Sequence, residues 1–296
     1  LANNVNEPIR KLVEMWERVQ ESLESAQRIS DIYNVPPEEE LAEGRKPYLP
    51  AIKGHIRMEN VTFSYAAPGE PALRNVSLDI QPGQKIAIVG RSGSGKTTLV
   101  NMLLRFYSPQ EGRVLFDGQD IEAVSVESLR SQIGVVLQEN TLFSGTIREN
   151  IALARPHAPL EEVIEAARLA TAHDFISELV SDYETDVGEW GAALSGGQRQ
   201  LIAIARALFV RPRVLIFDEA MSALDSESGR AVHRGMEAMA KDRTLIFIAH
   251  RYAAAQFSDL IVVLDQGVIV EQGSYHELMD RRGLYYYLCR QSAPVN

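Results

Sequence analysis

The chain has 296 residues, 45% of them hydrophobic and 24% charged, which is typical of a globular protein that can bury a sizeable core. Its formal net charge of −10 and its pI near 5.2 argue against a general nucleic-acid binder, which needs a basic surface, so we expect no nucleic-acid partner. The single cysteine, Cys289, excludes an internal disulfide and a cysteine-based zinc site, and no apolar run is long enough to span a membrane.

The first predicted element is an amphipathic helix over residues 9–26, where apolar or small side chains alternate in steps of three and four. These side chains are Ile9, Leu12, Trp16, Val19, Leu23 and Ala26. We expect Asn6 to cap this helix, with Glu7 and Pro8 in its first turn. The pattern fits either a helix that packs on its own domain or the cytosolic end of a longer helix whose upstream part is absent. We therefore predict a helical extension at residues 1–34.

A proline-rich linker is predicted next, at residues 35–51, because four prolines and an acidic run prevent the helix from continuing. The compact domain is then expected at residues 52–292. It opens with two β-rich stretches, residues 55–65 and 73–80, which predict an antiparallel flap. Tyr65 ends the first stretch, where its ring either stacks on a purine base or lies half-buried in the core.

Residues 90–98, with the sequence GRSGSGKTT, follow an apolar strand at 85–89 and lead into a predicted helix at 98–104. This context is the one that a phosphate-binding loop requires. Its glycines let the backbone approach the phosphates of a nucleotide, Lys96 can reach the β- and γ-phosphates, and Thr97 can ligate a magnesium ion. The predicted binding residues are Gly90, Ser92, Gly93, Ser94, Gly95, Lys96, Thr97 and Thr98. Such a loop specifies nucleotide binding and leaves the function open.

Further strands and a helical insertion follow the loop. Strands are predicted at residues 112–116 and 134–137, the second of which runs into Gln138. The insertion at about residues 144–205 is predicted to be mostly helical. Its helices are expected at residues 147–153, 160–170 and 173–180, and another helix at 201–208.

Two later apolar strands deliver polar residues at their carboxyl ends. The strand at residues 213–217 delivers Asp218 and Glu219, and the strand at 244–249 delivers His250. Ligands bind at this end of the strands in open parallel sheets. The sequence therefore predicts Lys96, the acidic pair and His250 along one edge of the sheet. Residues 260–264 and 268–270 predict a closing hairpin.

The pentapeptide LSGGQ at residues 194–198 starts an apolar helix, and a glycine-rich helix start can bind an anion. Together with the phosphate loop it resembles the nucleotide-binding domain of ABC transporters, over about residues 52–291. The family's motifs stand in order: Tyr65 is similar to the adenine-stacking aromatic, residues 90–98 to the Walker A loop, Gln138 to the Q-loop, Ser195, Gly196, Gly197 and Gln198 to the signature, Asp218 and Glu219 to the Walker B end, Asp225 to the D-loop and His250 to the switch histidine. The resemblance favours the base-stacking interpretation of Tyr65.

Residues 141–150 and 186–189 resemble exporter cassettes, and residues 172–179 are similar to hemolysin-type protein-secretion transporters. The resemblance implies an α/β fold, with a P-loop NTPase core of mostly parallel sheet and flanking helices. It also implies an antiparallel β subdomain, a helical signature subdomain and the N-terminal helical extension. A transmembrane domain is expected on the same native chain, which places this domain at the cytoplasmic face of an inner or plasma membrane.

The resemblance further implies a head-to-tail dimer with a second nucleotide-binding domain, either identical or a paralogue. With ATP and Mg²⁺ as cofactors, Thr97, Gln138 and Asp218 are expected around the metal ion. Glu219 is expected to activate the attacking water, and His250 to hold the γ-phosphate and orient Glu219. The residues expected to act on the partner's ATP are Ser195, Gly196, Gly197, Gln198 and Asp225.

Three positions depart from the family's usual pattern: Met221 replaces threonine, Trp190 replaces arginine and Leu201 replaces arginine. None removes a phosphate contact, but Met221 bears on the D-loop geometry and Trp190 on coupling to the membrane domain. The predicted function is an ATP-hydrolysing motor domain of an exporter, with a peptide or protein as cargo. Two alternatives stay open: an ATP-gated dimerisation module with little hydrolysis, and a soluble ATPase of the same family.

Overall fold

A computed structural model describes residues 3–34, 38, 46–66, 69–137, 141–218, 242–249 and 252–292. Internal contacts divide the chain into two units, residues 1–45 and residues 46–296. In these described ranges we find no helix with the combined length and hydrophobicity that crossing a bilayer requires.

The first unit contains one long helix, α1 (Asn3–Tyr33). The predicted helix is confirmed, but the predicted start is wrong, because Asn6 lies inside the helix and does not cap it. Pro8 falls in the second turn, where it cannot donate to the carbonyl of Asn4. A helix of 31 residues continues through that one missing bond.

The second unit begins at Lys46, earlier than the sequence-based boundary at Ile52. The backbone N–H of Leu49 donates to the hydroxyl of Ser128 at 2.8 Å, and the Leu49 side chain is buried. The last part of the stretch predicted as a linker is therefore packed onto the domain.

The elements of the second unit alternate between strands and short helices. In chain order they are β1 (Ile56–Phe63), β2 (Leu73–Ile80), β3 (Lys85–Val89), α2 (Lys96–Leu103), β4 (Glu111–Phe116), β5 (Gln119–Asp120), α3 (Val126–Arg130), β6 (Ile133–Val136), α4 (Ile147–Ile151), α5 (Leu160–Leu169), α6 (His173–Ser177), α7 (Gly196–Phe209), β7 (Val214–Asp218), β8 (Thr244–Ala249), β9 (Leu260–Asp265), β10 (Val268–Gly273), α8 (Tyr275–Arg281) and α9 (Leu284–Ser292).

The smaller sheet is antiparallel, with the order β2-β1-β4-β5. The predicted flap of β1 and β2 is confirmed, and alternate residues of each strand are buried, which explains their period of two. The pairing of β4 with the other edge of β1 was not predicted. It brings Phe116 opposite Ile56 in the buried layer.

The larger sheet has the order β10-β9-β3-β8-β7-β6, and its strands are parallel except for the terminal hairpin partner β10. Both faces of β3 are covered. Ile86 and Ile88 pack in the same cluster as Leu99 of α2, whereas Ala87 and Val89 pack in the cluster that contains Tyr285 of α9. This coverage explains the continuous apolar run that predicted a buried parallel strand.

The predicted helical insertion is confirmed, and α4, α5 and α6 end one to three residues earlier than expected. Helix α7 begins at Gly196, before the predicted start at residue 201. The helix predicted at residues 173–180 ends at Ser177, whose hydroxyl donates to the carbonyl of His173 at 2.9 Å. A serine hydroxyl that bonds the carbonyl four residues earlier competes with the backbone hydrogen bonds of a helix, which is consistent with the early end. Helices α4, α5 and α7 contribute to one apolar cluster that also contains Phe217 of β7 and Phe247 of β8, so the insertion packs against one face of the large sheet.

Candidate functional site

The phosphate-binding loop connects β3 to α2, as predicted, and its glycines have positive φ values, which L side chains rarely adopt. Gly93 and Gly95 have φ values of +76° and +104°. A Cβ atom at Gly95 would lie 2.6 Å from the carbonyl oxygen of Ala72. At Gly95 the backbone angle and the close carbonyl therefore both require glycine, whereas at Gly93 the positive φ alone favours it.

Lys96 is the first residue of α2, and its side chain is only 5% exposed. Its ammonium group donates to the carbonyl oxygens of Gly90 (3.0 Å) and Arg91 (2.9 Å). The positive charge is thus held inside the curve of the loop, at the N-terminus of a helix. Charge and helix dipole both favour an anionic group at this place.

Ser94 supplies a second polar group inside the loop. Its side chain is 3% exposed, and its hydroxyl has no hydrogen-bond partner among the residues that the structure describes. A buried hydroxyl without a partner costs free energy unless a ligand satisfies it. The buried ammonium group, the unsatisfied hydroxyl and the narrow backbone curve together fit the triphosphate of a nucleotide.

Neighbouring strands support the loop from outside. The N–H of Gly267, in the turn between β9 and β10, donates to the carbonyl of Ser94 at 3.0 Å. The carbonyl of Gly267 in turn accepts from the N–H of Arg74 in β2, at 2.8 Å. The loop is therefore connected to both sheets before any ligand binds.

Tyr65 lies two residues beyond the end of β1 and reaches the phosphate loop. A hydrogen bond joins the hydroxyls of Tyr65 and Thr98 at 3.0 Å, and Tyr65 is 56% exposed. Its ring packs edge to face with Phe63 and Tyr107, at centroid distances of 5.0 and 5.1 Å. Two residues predicted for nucleotide binding are thus in contact, and Tyr107, which sequence reasoning missed, lies beside them.

The other predicted residues of the sheet edge follow from strand order. Asp218 ends β7 and pairs with Ile248 of β8, while Val89, at the end of β3, pairs with Ala249 of β8. The phosphate loop and Asp218 therefore leave the same edge of the sheet, separated by one strand, as predicted. Glu219 and His250 come directly after β7 and β8 and lie outside the described residues, as do Gln138, Met221 and Asp225.

The signature turn begins α7 with a reciprocal cap. The Ser195 hydroxyl accepts from the N–H of Gln198 at 3.2 Å, and the Gln198 side-chain oxygen accepts from the N–H of Ser195 at 2.9 Å. Ser195 and Gly196 are exposed, whereas Gly197 and Gln198 are partly covered. The helix start is thus accessible at the surface with its geometry already set.

Arg206 of α7 anchors the segment that follows the predicted Q-loop. Its guanidinium donates to the carbonyl of Thr141 at 3.1 Å and to the backbone and side-chain oxygens of Asn150 at 2.9 and 2.7 Å. Burial lowers the pKa of Arg206. The Asn150 amide group donates to the carbonyl of Phe143 at 2.8 Å. Sequence reasoning missed this network, because arginine in an amphipathic helix is ordinarily assigned to the exposed face.

Two of the three unusual residues lie in this part of the domain. Trp190 has a φ of +57° and is 75% exposed in the turn before the signature. Leu201 is 8% exposed and packs in the core of the helical segment, where an apolar side chain is favourable.

A buried parallel strand that leads through a glycine-rich loop into a helix, with an aspartate ending a nearby strand, defines a P-loop nucleotide-binding domain. The family model for ABC transporters matches residues 73–222. The chain belongs to the ABC transporter family, as an ATP-binding domain of that family.

The curated relatives are export proteins. The chain is 49% identical over 289 residues to the leukotoxin export ATP-binding protein LtxB of Aggregatibacter actinomycetemcomitans, and 50% identical over 289 residues to the leukotoxin translocation ATP-binding protein LktB of Mannheimia haemolytica. Each alignment covers 97% of this chain and 40% of the relative. The chain therefore spans about two fifths of the length of these relatives.

A solved structure of a bacterial Atm1-family ABC exporter with ATP bound has the same fold. It superposes with a TM-score of 0.86 at 40% identity, over 94% of this chain and 48% of that chain. The mixed α/β architecture is thus that of the nucleotide-binding domain of an ABC exporter, and the predicted fold class is confirmed.

Proposed function

We propose that this chain is the ATP-hydrolysing motor domain of an exporter that moves a peptide or protein across a membrane. The observation that carries the proposal is the buried Lys96 in its glycine-rich loop, one strand away from Asp218, in a domain about half identical to leukotoxin export proteins. The names of these relatives support a protein cargo.

The chain's residues have distinct parts in hydrolysis. Lys96 neutralises charge on the terminal phosphates, and Tyr65 stacks on the adenine. Glu219 orients and deprotonates the attacking water, and His250 holds the γ-phosphate beside it. The other proposed phosphate contacts come from Gly90, Ser92, Gly93, Ser94, Gly95, Thr97, Thr98 and Gln138. The product of the step is inorganic phosphate, with ADP as the leaving group.

The donor set also fits Mg²⁺. The hydroxyl of Thr97, exposed at the start of α2, and the carboxylate of Asp218 are hard oxygen ligands, and Gln138 is the third proposed ligand. A bound Mg²⁺ ion would supply further charge neutralisation on the phosphates.

The second half of each site is proposed to come from a partner domain in a head-to-tail dimer. Ser195, Gly196, Gly197, Gln198 and Asp225 of one domain act on the ATP of the other, and the exposure of Ser195 and Gly196 supports this. The partner is an identical chain or a paralogue. The greater length of the relatives supports a transmembrane domain on the same native chain, with this domain at the cytoplasmic face.

The test replaces one carboxylate by an amide of the same shape. In the purified chain we expect Glu219→Gln to bind ATP like the wild type and to release phosphate at least about 100-fold more slowly, because the general base is lost. Glu165→Gln is the matched control, since Glu165 is an exposed partner of Arg211. It should hydrolyse ATP at the wild-type rate.

Wild-type phosphate release from Glu219→Gln would contradict the proposal. A wild-type chain that dimerises with ATP but does not hydrolyse it would instead support an ATP-gated dimerisation module. Tight binding of the wild type to nucleic acid at physiological salt would favour a soluble ATPase of the same family.

A further inference from the structure

Three aromatic side chains form a compact cluster beside the phosphate loop. The ring centroids of Phe63, Tyr65 and Tyr107 lie 5.0 to 5.2 Å apart in all three pairs. The ring of Tyr65 is nearly perpendicular to both neighbours, at 82° to Phe63 and 87° to Tyr107. Perpendicular contacts at this distance are the favourable geometry for aromatic pairs.

We propose that Tyr107 is a positioning residue for recognition of the nucleotide base, acting through the ring of Tyr65. The proposal rests on the proposed function, in which Tyr65 stacks on adenine. Tyr107 holds the Tyr65 ring at a fixed angle, so that its exposed surface is ready for the base before ATP arrives.

The exposures of the three rings indicate a division of roles. Phe63 is 4% exposed and belongs to the core, while Tyr65 is 56% and Tyr107 is 43% exposed. Tyr65 follows the end of β1 and is not held by strand pairing there. The orientation of the Tyr65 ring therefore depends on Phe63, Tyr107 and the hydrogen bond to Thr98. Of these three contacts, Phe63 and Thr98 are buried, and Tyr107 is the one that is exposed.

The backbone that carries Tyr107 is itself held firmly. The N–H of Phe106 donates to the carbonyl of Asn101 at 2.9 Å, and the guanidinium of Arg130 lies over the Phe106 ring at 4.6 Å. Arg130 also donates to the carbonyls of Leu104 and Arg105, at 2.9 and 3.0 Å. Tyr107 is thus presented from a segment that α3 fixes in place.

Helix α2 connects this segment to the phosphate loop. Lys96 is at the helix start, and Tyr107 comes shortly after the helix end at Leu103. Helix α2 therefore fixes the positions of both the Lys96 ammonium group, which is proposed to bind the phosphates, and the Tyr107 ring, which is proposed to orient Tyr65. Base binding and phosphate binding share this support, but only base binding needs Tyr107.

Within the part of the chain that the structure describes, the hydroxyl of Tyr107 makes no hydrogen bond. The proposed role therefore requires the ring and not the hydroxyl. This separates Tyr107→Phe, which keeps the ring, from Tyr107→Ala and Tyr107→Leu, which remove it.

The experiment compares two ligands, ATP and inorganic tripolyphosphate, by calorimetry on the purified chain. We expect Tyr107→Ala and Tyr107→Leu to weaken ATP binding about three- to tenfold, the range for loss of one aromatic pair, with tripolyphosphate binding unchanged. Tyr107→Phe should bind both ligands like the wild type. Tyr287→Ala, which removes an exposed tyrosine from α9, is the matched control and should also bind both ligands with wild-type affinity.

Several outcomes would overturn the proposal. Equal weakening of ATP and tripolyphosphate binding would mean that Tyr107 only supports the loop. Unchanged ATP binding in Tyr107→Leu would mean that the ring does not orient Tyr65. The base-stacking step of the proposed function would fail differently: the wild-type chain would then bind ATP no more tightly than tripolyphosphate. Tyr65→Ala checks this step directly, because we expect it to lose ATP affinity.

Discussion

Arg206 and Asn150 are joined by two hydrogen bonds, one from Nε to the backbone carbonyl at 2.9 Å and one from the terminal nitrogen to the side-chain oxygen at 2.7 Å. Asn150 is 1% exposed and also exchanges hydrogen bonds with the backbone of Phe143. One buried amide group thus connects α4, α7 and the segment that leads out of the predicted Q-loop.

This connection predicts a large loss of stability in Asn150→Ala. The guanidinium of Arg206 would stay buried with fewer acceptors, and the backbone groups of Phe143 would lose their partner. We expect the free energy of unfolding in urea to fall by about 2–3 kcal/mol. Arg211→Ala, which removes only an exposed ion pair, should cost less than about 1 kcal/mol. Similar losses in the two variants would show that the network contributes little.

Lys96→Ala should bind ATP roughly 10- to 100-fold more weakly, because a charge-assisted contact to the phosphates is lost. The bonds from Lys96 to the carbonyls of Gly90 and Arg91 disappear in the same variant. Fluorescence titration with a labelled ATP analogue measures the effect. Lys53→Ala, which removes an exposed lysine, should bind like the wild type. Wild-type affinity in Lys96→Ala would contradict the assigned role.

Ser195→Ala and Ser274→Ala form a matched pair, because both serines cap a helix through the same reciprocal arrangement. Each substitution should reduce the free energy of unfolding by about 1 kcal/mol. Only Ser195→Ala should also lower the ATPase rate, since only Ser195 is proposed to contact the partner's ATP. The steady-state rate is measured well below the unfolding temperature of either variant. A matching fall in rate for both would mean that Ser195 acts as a helix cap alone.

A pH dependence follows from the ion pair on the outer face of the small sheet. The hydrogen bond with His55 (2.7 Å), with Arg57 nearby, lowers the pKa of Asp79 below its usual value of 3.8. A lowered pKa in the folded state stabilises the fold above pH 3.8, and this contribution is lost as the pH falls through the folded-state pKa. The wild type should therefore exceed Asp79→Asn in unfolding free energy at pH 6, and the difference should shrink at pH 3. An equal difference at both pH values would refute this assignment.

The parallel order of the large sheet could be predicted from sequence because its strands carry continuous apolar runs that end at polar residues. The runs that form β3, before Gly90, and β7, which ends at Asp218, are the clearest cases. The carboxyl ends of these two strands lie at the same edge of the sheet, as predicted. The start of α1 was mispredicted, because Pro8 was taken as a first-turn residue although the helix continues through it. The pairing of β4 with β1 was missed because an antiparallel partner distant in the chain leaves no local pattern.

The contacts of Tyr107 and Arg206 were missed for a different reason. A half-exposed tyrosine after a helix and an arginine within a helix both match ordinary surface patterns, and their roles depend on neighbours distant in the chain. Tyr65 meets Tyr107, and Arg206 meets Thr141, only after folding. Local periodicity therefore predicts elements and glycine-rich turns well, but it does not predict which polar or aromatic side chains join them.

The placement of β3 has a consequence for biosynthesis. Both strands beside it, β8 and β9, come late in the domain, so the strand that carries the phosphate loop stays unpaired while most of the domain is being made. Nucleotide affinity should arise late, when β8 and β9 leave the ribosome and close around β3. A translation product that stops before Thr244 would then have the whole glycine-rich loop and yet no stable place to hold it.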